Sequence, residues 1–451
     1  MLIKEFLEKV CDEIKYKPIR KDISEELELH IQEQKEEFVK DGMSNSKAEE
    51  KAVLNMGEAT EIGKKLDKIH RPKLDWILLL LVAILIGFGF LVTVIKSQRM
   101  DMDYYLIRHV IFCVVGLIFS IIIYFYDYRK YLKYSNFIYF LSSILLIDAI
   151  LFGYKIVGTY KYINIFSVGI DPSNICILLY IVYFVSALEN LKSKKCKINI
   201  DNFTFEFRID ILKLVILSSI SIILLMSASG ITISVILIMA YIIILTSYII
   251  NTKNNVKLNL IKLYGILFII GIIFLVFCIG SQNAIYYRLQ NKIVSTYNYE
   301  KDINGNGWIG YKINEVLNNS NMFSGLDNMD SYFGLFDGGT NHALITIIAY
   351  CGSAYALIII STIILLTAKI IIDCKKIKDN YGKQLIIGLS SVILLQAIFN
   401  ILMNFNIIPI TNLNLPFISY GITSLIINMI SIAFILSIYR RKDILVKERI
   451  K

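Results

Sequence analysis

About ten apolar segments constrain this chain more than any other feature of its sequence. Each is long enough to cross a bilayer, which takes about 20 mostly apolar residues in a helix. Of the 451 residues, 56% are hydrophobic, too many for an ordinary soluble domain of this length. The sequence therefore predicts an all-α integral membrane protein whose spans lie near residues 75–95, 104–125, 134–153, 172–188, 209–227, 231–250, 258–280, 341–367, 384–404 and 416–438.

Lysine and arginine are distributed unevenly between the connecting segments. One set of connections is rich in cations, for example at 129–133, 192–197, 375–378 and 440–447, whereas the opposite set is sparse. The positive-inside rule makes the first set cytoplasmic. Both termini are then predicted on the cytoplasmic side of the membrane, with a large extracellular loop, 281–340, between the seventh and eighth helices. The net charge of +10 is interpreted as inner-leaflet anchoring, so no nucleic-acid partner is predicted.

Residues 1–72 have a different character from the remaining 73–451. They are charged, and Ile23, Leu27, Ile31 and Phe38 mark one face of an amphipathic helix. Their pattern resembles the HAAS, or permease-prefix, domain that precedes diverse bacterial membrane modules. We predict a small cytoplasmic helical domain that docks on a partner, because short helices alone bury little area. A solvated helical cap is the alternative.

The stretch from Asn400 to Ser424 places a polar turn between two apolar runs. The polar residues of this turn are Asn404, Asn406, Pro409, Thr411, Asn412 and Asn414. In this turn Asn414 is predicted to cap a helix that begins at Pro416, whose missing N–H costs nothing at the first helical position. Ser419, Tyr420 and Gly421 then form a small and polar cluster, which inside a membrane normally faces other helices. A generic packing seam would explain these residue types equally well.

The order and spacing of this stretch are more specific than its chemistry. It reads Gln396, Asn400 and Pro409, followed by the unbroken run LPFISYG. This pattern resembles the C-terminal signature of the SEDS family, the FtsW/RodA/SpoVE proteins of bacterial cell division, elongation (cell shape) and sporulation. The resemblance implies a role in peptidoglycan synthesis. It also implies binding roles for Pro409, Pro416, Ser419, Tyr420 and Gly421.

A second block, from Gly158 to Ile177, resembles the family pattern G-A-x-R-W-I followed by Q-P-S-E-x-x-K. Lys161, Pro172 and Ser173 keep its frame and are expected to contribute to binding. Two charges of the pattern are missing, since Asn174 replaces the Glu and Ile177 replaces the Lys. Charged residues inside a membrane are costly and are retained for function. A later P-D-x-G turn has also lost its acid, which is replaced by Ala228.

The predicted outer loop also contains pieces similar to the family. Arg288 falls in the piece like R-x-x-R-I, and a binding role is carried over to it. The closing piece aligns Asn341 with the T-D-F aspartate that the family associates with polymerising lipid II. Asp337 lies four residues earlier, beside two glycines, and could be a substitute acid. The family's following Glu pair is Ala349 and Tyr350 here.

These substitutions leave two hypotheses about activity. Attack of a sugar hydroxyl on an anomeric carbon needs a carboxylate nearby, as a base or as a metal ligand, and an amide supplies the negative charge for neither role. We therefore expect a catalytically degenerate paralogue that binds lipid II or regulates a class B penicillin-binding protein, the transpeptidase partner. The alternative is an active lipid II glycosyltransferase that uses Asp337. No cofactor is expected, although a divalent cation would be possible in the active case.

Overall fold

A computed structural model of the protein describes residues 2–71, 73–156, 159–165, 168–191, 196–200, 203–207, 209–252, 256–262, 264–265, 293, 296–303, 305, 307–326 and 340–442. The chain divides into two compact units. One unit contains the residues up to Asp75 together with those from Tyr439 onwards, and the other runs from Trp76 to Ile438.

The N-terminal unit is built from four helices. They are α1 (Leu2–Glu13), α2 (Arg20–Lys40), α3 (Asn45–Met56) and α4 (Ala59–His70). Ile23 and Ile31 on α2 are fully buried, and Leu27 and Phe38 are partly buried against the same core, as their spacing predicts. Whether this unit is a separate cytoplasmic domain stays a prediction.

The second unit contains nine helices in the described residues that are long and apolar enough to cross a membrane. A four-residue helix, α7 (Lys130–Lys133), and the helix α12 (Trp308–Asn319) lie between them. The all-α membrane fold is confirmed, whereas most of the predicted span 258–280 lies outside the described residues. The nine helices are α5 (Trp76–Met100), α6 (Tyr104–Phe125), α8 (Ser135–Phe152), α9 (Pro172–Glu189), α10 (Ile209–Ser229), α11 (Ile231–Thr252), α14 (Ser353–Lys375), α15 (Asn380–Asn404) and α16 (Ile422–Arg440).

Two connections contain short antiparallel strands that the sequence analysis did not predict. The first forms a three-stranded sheet from β1 (Tyr154–Ile156), β2 (Thr159–Ile165) and β3 (Val168–Ile170). The second is a hairpin of β4 (Cys196–Ile200) and β5 (Phe203–Phe207). These strands are only three to seven residues long, so they leave the helical class of the fold unchanged.

The predicted span at 341–367 is wrong in its boundaries, because a break divides it. A short buried helix, α13 (Ala343–Cys351), ends at Gly352, whose φ is +104°, and α14 begins one residue later. The backbone N–H groups of Ser353 and Ala354 donate to the carbonyls of Asn321 and Met322, both at 3.0 Å. The loop after α12 thus replaces the helical hydrogen bonds that the break removes.

Candidate functional site

Two asparagines on one face of α15 organise the site. Asn400 and Asn404 are four residues apart, so their side chains lie on the same side of the helix, and both are fully buried. Asn404 was predicted to belong to the polar turn, but it is the last residue of the helix. A buried amide is costly unless it is hydrogen-bonded, and these two amides use most of their donors and acceptors.

Both amides hold the turn that contains Asn341. The Nδ2 atom of Asn400 donates to the carbonyl oxygen of Asn341 at 2.9 Å, and the Nδ2 atom of Asn404 donates to the same oxygen at 3.2 Å. The Oδ1 atom of Asn404 accepts the backbone N–H of Ile345 at 3.2 Å, in the first turn of α13. One side chain thus fixes the Asn341 carbonyl and satisfies a donor at the start of the next helix.

The same asparagine pair connects Asn341 to the C-terminal signature. Asn400 Nδ2 also donates to the carbonyl oxygen of Leu413 at 2.6 Å. The pair is tied together internally, because Asn404 Nδ2 donates to the carbonyl of Asn400 at 2.8 Å. Two segments about 70 residues apart in sequence, the Asn341 turn and the signature loop, are therefore joined through buried amides.

The signature loop does not start a helix where the sequence predicted. Helix α16 begins at Ile422, and Pro416 lies in a turn before it. The N–H groups of Ile418 and Ser419 both donate to the carbonyl of Leu415, and the Leu415 N–H donates to Ser419 Oγ at 2.8 Å. Phe417 has a φ of +66°, a conformation that cannot continue a right-handed helix. The predicted cap at Asn414 and helix start at Pro416 are therefore wrong.

Tyr420 lies in a cluster of aromatic and cationic side chains. The Nζ atom of Lys96 on α5 lies 4.2 Å from the ring centroid of Tyr105 and 4.1 Å from that of Tyr420. The rings of Tyr105 and Tyr420 meet edge to face with centroids 5.5 Å apart. Contacts of this kind hold a cation against the ring faces. Lys96 could not be assigned to the site from the sequence, because a single lysine near the end of an apolar run has the pattern of an interfacial anchor.

A buried histidine completes this cluster. His109 on α6 is 3% exposed, and its Nδ1 atom lies 3.2 Å from Thr93 Oγ1. The Thr93 hydroxyl donates to the carbonyl of Gly89 at 2.9 Å, so its oxygen accepts from His109. The proton of the neutral ring therefore lies on Nδ1, which leaves Nε2 as the acceptor. Its ring stacks on Tyr420 with centroids 6.3 Å apart.

The second sequence block reaches the signature through Asp171. This residue caps α9, since its Oδ1 atom accepts the Ser173 N–H at 3.0 Å, with Pro172 at the first helical position. The backbone N–H of Asp171 donates to Thr423 Oγ1 at 3.0 Å, near the start of α16. The structure thus joins Pro172 and Ser173 to the region of Ser419, Tyr420 and Gly421. The sequence D-P-S was the available signal for this cap.

Four positions carry an uncharged residue where the family pattern has a charged one, and each of them packs against neighbouring residues. Asn174 Nδ2 donates to Asp171 Oδ2 at 3.0 Å, and Ile177 is buried on the same helix. Ala228 lies near the end of α10, where the hydroxyl of Ser229 contacts that of Ser173. Ala349 is fully buried in α13.

Four predicted site residues remain, and two of them lie in the part of the chain that the structure describes. Arg288 and Asp337 lie outside the described residues. Lys161 lies in β2, and Pro409 is half-buried in the loop between α15 and α16. In the described part of the chain, no group of three or more His, Cys, Asp or Glu side chains could hold a metal ion.

The fold and this site define a class of multi-span membrane proteins in which a polar loop near the C-terminus packs against the turn before a broken helix. The FtsW/RodA/SpoVE family, described as cell cycle proteins, matches residues 73–444. The chain belongs to this family.

Relatives support the same membership. The chain is 24% identical over 374 residues to the probable peptidoglycan glycosyltransferase FtsW of Trichlorobacter lovleyi, which covers 81% of this chain and 92% of that protein. It is 22% identical over 393 residues to the protein of the same name from Bacillus subtilis, with 81% and 90% covered.

Solved structures show the same fold. A chain of a peptidoglycan synthase complex, studied for the coordination of polymerization and crosslinking, superposes with a TM-score of 0.62 at 16% identity. That match covers 82% of this chain and 98% of the other. The rod shape determining protein RodA of Thermus thermophilus gives a TM-score of 0.53 at 16% identity, with 82% and 97% covered.

Proposed function

We propose that this protein is a catalytically degenerate paralogue that binds lipid II, or a related undecaprenyl-linked precursor, without polymerising it, or that regulates peptidoglycan synthesis through its partners. One observation carries the proposal: Asn341 occupies the position that aligns with the family's aspartate. A carboxylate there would accept the proton of the attacking sugar hydroxyl, while the lipid diphosphate leaves with the electron pair of the anomeric bond. The asparagine amide takes no proton at neutral pH.

The contacts around Asn341 support the view that this chain keeps the turn at this position but lacks the negative charge of the family's aspartate. Its backbone carbonyl is held by Asn400 and Asn404, so the turn is built regardless of which side chain Asn341 carries. Losing a general base typically costs about 10² to 10⁴-fold in rate. The matched positions Asn174 and Ala228 lack their acids as well. A relaxed catalytic requirement explains all three changes together.

The binding surface that we propose is the part of the family pattern that this chain keeps. It includes the signature loop with the Lys96 and Tyr420 contact, which offers a cation and aromatic faces to an anionic, sugar-bearing ligand. Residues assigned to this surface are Lys161, Pro172, Ser173, Arg288, Pro409, Pro416, Ser419, Tyr420 and Gly421.

The second candidate function is active lipid II glycosyl transfer with Asp337 as the base. It is favoured by the position of Asp337 four residues before Asn341, next to Gly338 and Gly339, which allow the chain to redirect a side chain. In this case the proton of the acceptor hydroxyl moves to Asp337, and a divalent cation would neutralise the leaving diphosphate.

The proposed partner is a class B penicillin-binding protein at the bacterial plasma membrane. The complex with a similar fold is described as a peptidoglycan synthase complex, which supports a transpeptidase partner for this chain. We place both termini in the cytoplasm and the segment 281–340 outside, because the cation-rich connections belong to one side and the opposite set is sparse in cations.

Binding of labelled lipid II to the full-length protein in nanodiscs tests this proposal. We expect saturable binding by the wild type and by Asn341→Ala, because Asn341 contributes its backbone carbonyl to the turn. Tyr420→Ala should weaken binding about 5- to 30-fold, because it removes an aromatic face and the ring against which the Lys96 ammonium is held, together worth about 1–2 kcal/mol. The exposed Tyr134→Ala is the matched control. If neither lipid II nor a class B transpeptidase binds the wild type, the proposal is wrong.

A further inference from the structure

An apolar groove opens between α11, α14 and α15. Its volume is about 480 Å³, within the range of about 300–1,000 Å³ that is common for small-molecule sites. Isoleucines from all three helices form its walls, among them Ile243, Ile371 and Ile387. This groove involves none of the residues assigned to the candidate site above.

One end of the groove is polar. Ser247, Asn251, Lys375 and Lys383 line it near the C-terminal ends of α11 and α14 and the start of α15. Lys383 Nζ donates to Asn251 Oδ1 at 3.3 Å, which leaves the Asn251 Nδ2 atom buried with no hydrogen-bond partner among the described residues. A buried donor of this kind costs free energy unless a ligand or water accepts its hydrogen bond.

A neighbouring residue behind Ser247 carries a second unsatisfied atom. Gln384 is 1% exposed, and its Nε2 atom donates to Ser247 Oγ at 3.2 Å. The amide oxygen of Gln384, Oε1, is buried and has no hydrogen-bond partner in the described part of the chain. The Ser247 hydroxyl, already accepting from Gln384, still has a hydrogen to donate to a group in the groove.

The two lysines at this end form no ion pair with a carboxylate of the described residues. In the same region Asp373 binds Lys369 at 2.6 Å and Lys376 at 2.8 Å, so its two oxygens are both used. Among the described residues, Lys375 and Lys383 form no ion pair with an acidic side chain. The groove therefore combines an apolar trough with two lysines at one end that form no ion pair in the described part of the chain.

We propose that this groove binds an anionic phospholipid, with one acyl chain between the isoleucines and the headgroup phosphate against Lys375, Lys383 and the Asn251 amide. Basic pockets between membrane helices at the cytoplasmic side bind anionic headgroups in this way. The same end of the bundle carries Lys130 and Lys133, since Tyr128 beside them donates to Asp379 at 2.7 Å, just before α15. The inference does not depend on the proposed lipid II function.

Native mass spectrometry of the full-length protein in detergent tests this proposal. The protein is titrated with dioleoyl phosphatidylglycerol, with dioleoyl phosphatidylcholine as a zwitterionic lipid of the same chains, and with glycerol 3-phosphate as an anion without chains. We expect the phosphatidylglycerol to bind most tightly and glycerol 3-phosphate not to compete with it, because the site needs both chain and charge.

Three variants separate the contributions of charge and groove. Lys375→Gln with Lys383→Gln should weaken phosphatidylglycerol about 25-fold, about fivefold per lysine, and leave phosphatidylcholine unchanged. Lys376→Gln removes an equal charge nearby, but this lysine pairs with Asp373, so its effect should stay below about twofold. Ile387→Trp should fill the groove and weaken both lipids. Equal binding of the two lipids by the wild type, or an equal loss in Lys376→Gln, would overturn the proposal.

Discussion

At the scale of single residues, the site depends on buried amides more than on charge. The sequence singles out the side chain of Asn341. In the structure it is the backbone carbonyl of Asn341 that accepts hydrogen bonds from the side chains of Asn400 and Asn404. The alignment of Asn341 with the family's aspartate follows from the order of the flanking residues in the sequence and stays a prediction. The role of Asn404 could not, because an asparagine before a polar turn has the same appearance whether it ends the helix or follows it.

Replacing Asn404 with alanine should destabilise the protein by about 1–3 kcal/mol, since the Ile345 N–H would lose its acceptor while buried. The midpoint of thermal unfolding in detergent should fall accordingly. Asn412→Ala is the matched control, because Asn412 is exposed in the adjacent loop. Equal midpoints for the two variants would show that the Asn404 hydrogen bonds do not stabilise the turn.

At the scale of elements, hydrophobicity predicted where helices lie more reliably than where they begin and end. The run 341–367 is continuously apolar, so only Gly352 signalled that α13 and α14 are separate helices. At Pro416 the sequence favoured a helix start, but hydrogen bonds from two N–H groups to the Leu415 carbonyl create a turn first. Tertiary contacts decide both boundaries, and a single sequence does not contain them.

The contact between α5 and the signature loop gives a sharp test at this scale. A Cβ atom at Gly89 would lie 2.5 Å from the Phe417 carbonyl oxygen, whereas one at Gly87, on the same helix, would meet nothing within 4 Å. Gly89→Ala should therefore destabilise the protein by about 1–3 kcal/mol. Gly87→Ala should be neutral or stabilise by up to about 1 kcal/mol.

Thermal unfolding of the two glycine variants, prepared in parallel, checks this prediction. The midpoint should fall for Gly89→Ala and stay equal or rise for Gly87→Ala. If the midpoint falls equally in Gly89→Ala and Gly87→Ala, the glycines serve to make the helix flexible, and the close approach of the loop to Gly89 does not explain the effect.

At the scale of the whole molecule, the chain combines a charged helical unit with a family membrane domain. The N-terminal domain, residues 1–72, is predicted to fold alone, and expressed separately it should be soluble and helical by circular dichroism. Within it, Asp67 accepts hydrogen bonds from Arg71 Nη2 at 2.6 Å and from the Lys15 N–H at 2.9 Å. Burial acts to raise the pKa of Asp67, but these bonds outweigh it and hold the pKa below its ordinary value of 3.8.

The lowered pKa of Asp67 predicts how the stability of this unit depends on pH. The Asp67 contribution is complete above about pH 3.8 and is lost as the pH falls through the lower folded pKa. Asp67→Asn should therefore lower the unfolding midpoint at pH 7, and the difference from wild type should shrink below about pH 3.8. Glu61→Gln, which removes an exposed pair with Lys65, is the control and should have little effect.

Membrane orientation is a second prediction for the whole molecule. With the seven native cysteines replaced, a cysteine introduced at the exposed Asn318 should react with an impermeant maleimide added to intact cells. A cysteine at the exposed Lys133 should react only after the membrane is permeabilised. Labelling with the reverse pattern would invert the topology and place the candidate site on the cytoplasmic side.

Glycan-chain synthesis from lipid II tests the central claim most directly. The purified full-length protein is assayed with and without a class B transpeptidase, beside Asn341→Asp and Asp337→Ala. We predict no polymer from the wild type, and none from Asn341→Asp, because Asn174, Ile177 and Ala228 still lack the family's charges. Polymer made by the wild type and reduced about 10² to 10⁴-fold in Asp337→Ala would contradict the claim and establish an active glycosyltransferase with a displaced acid.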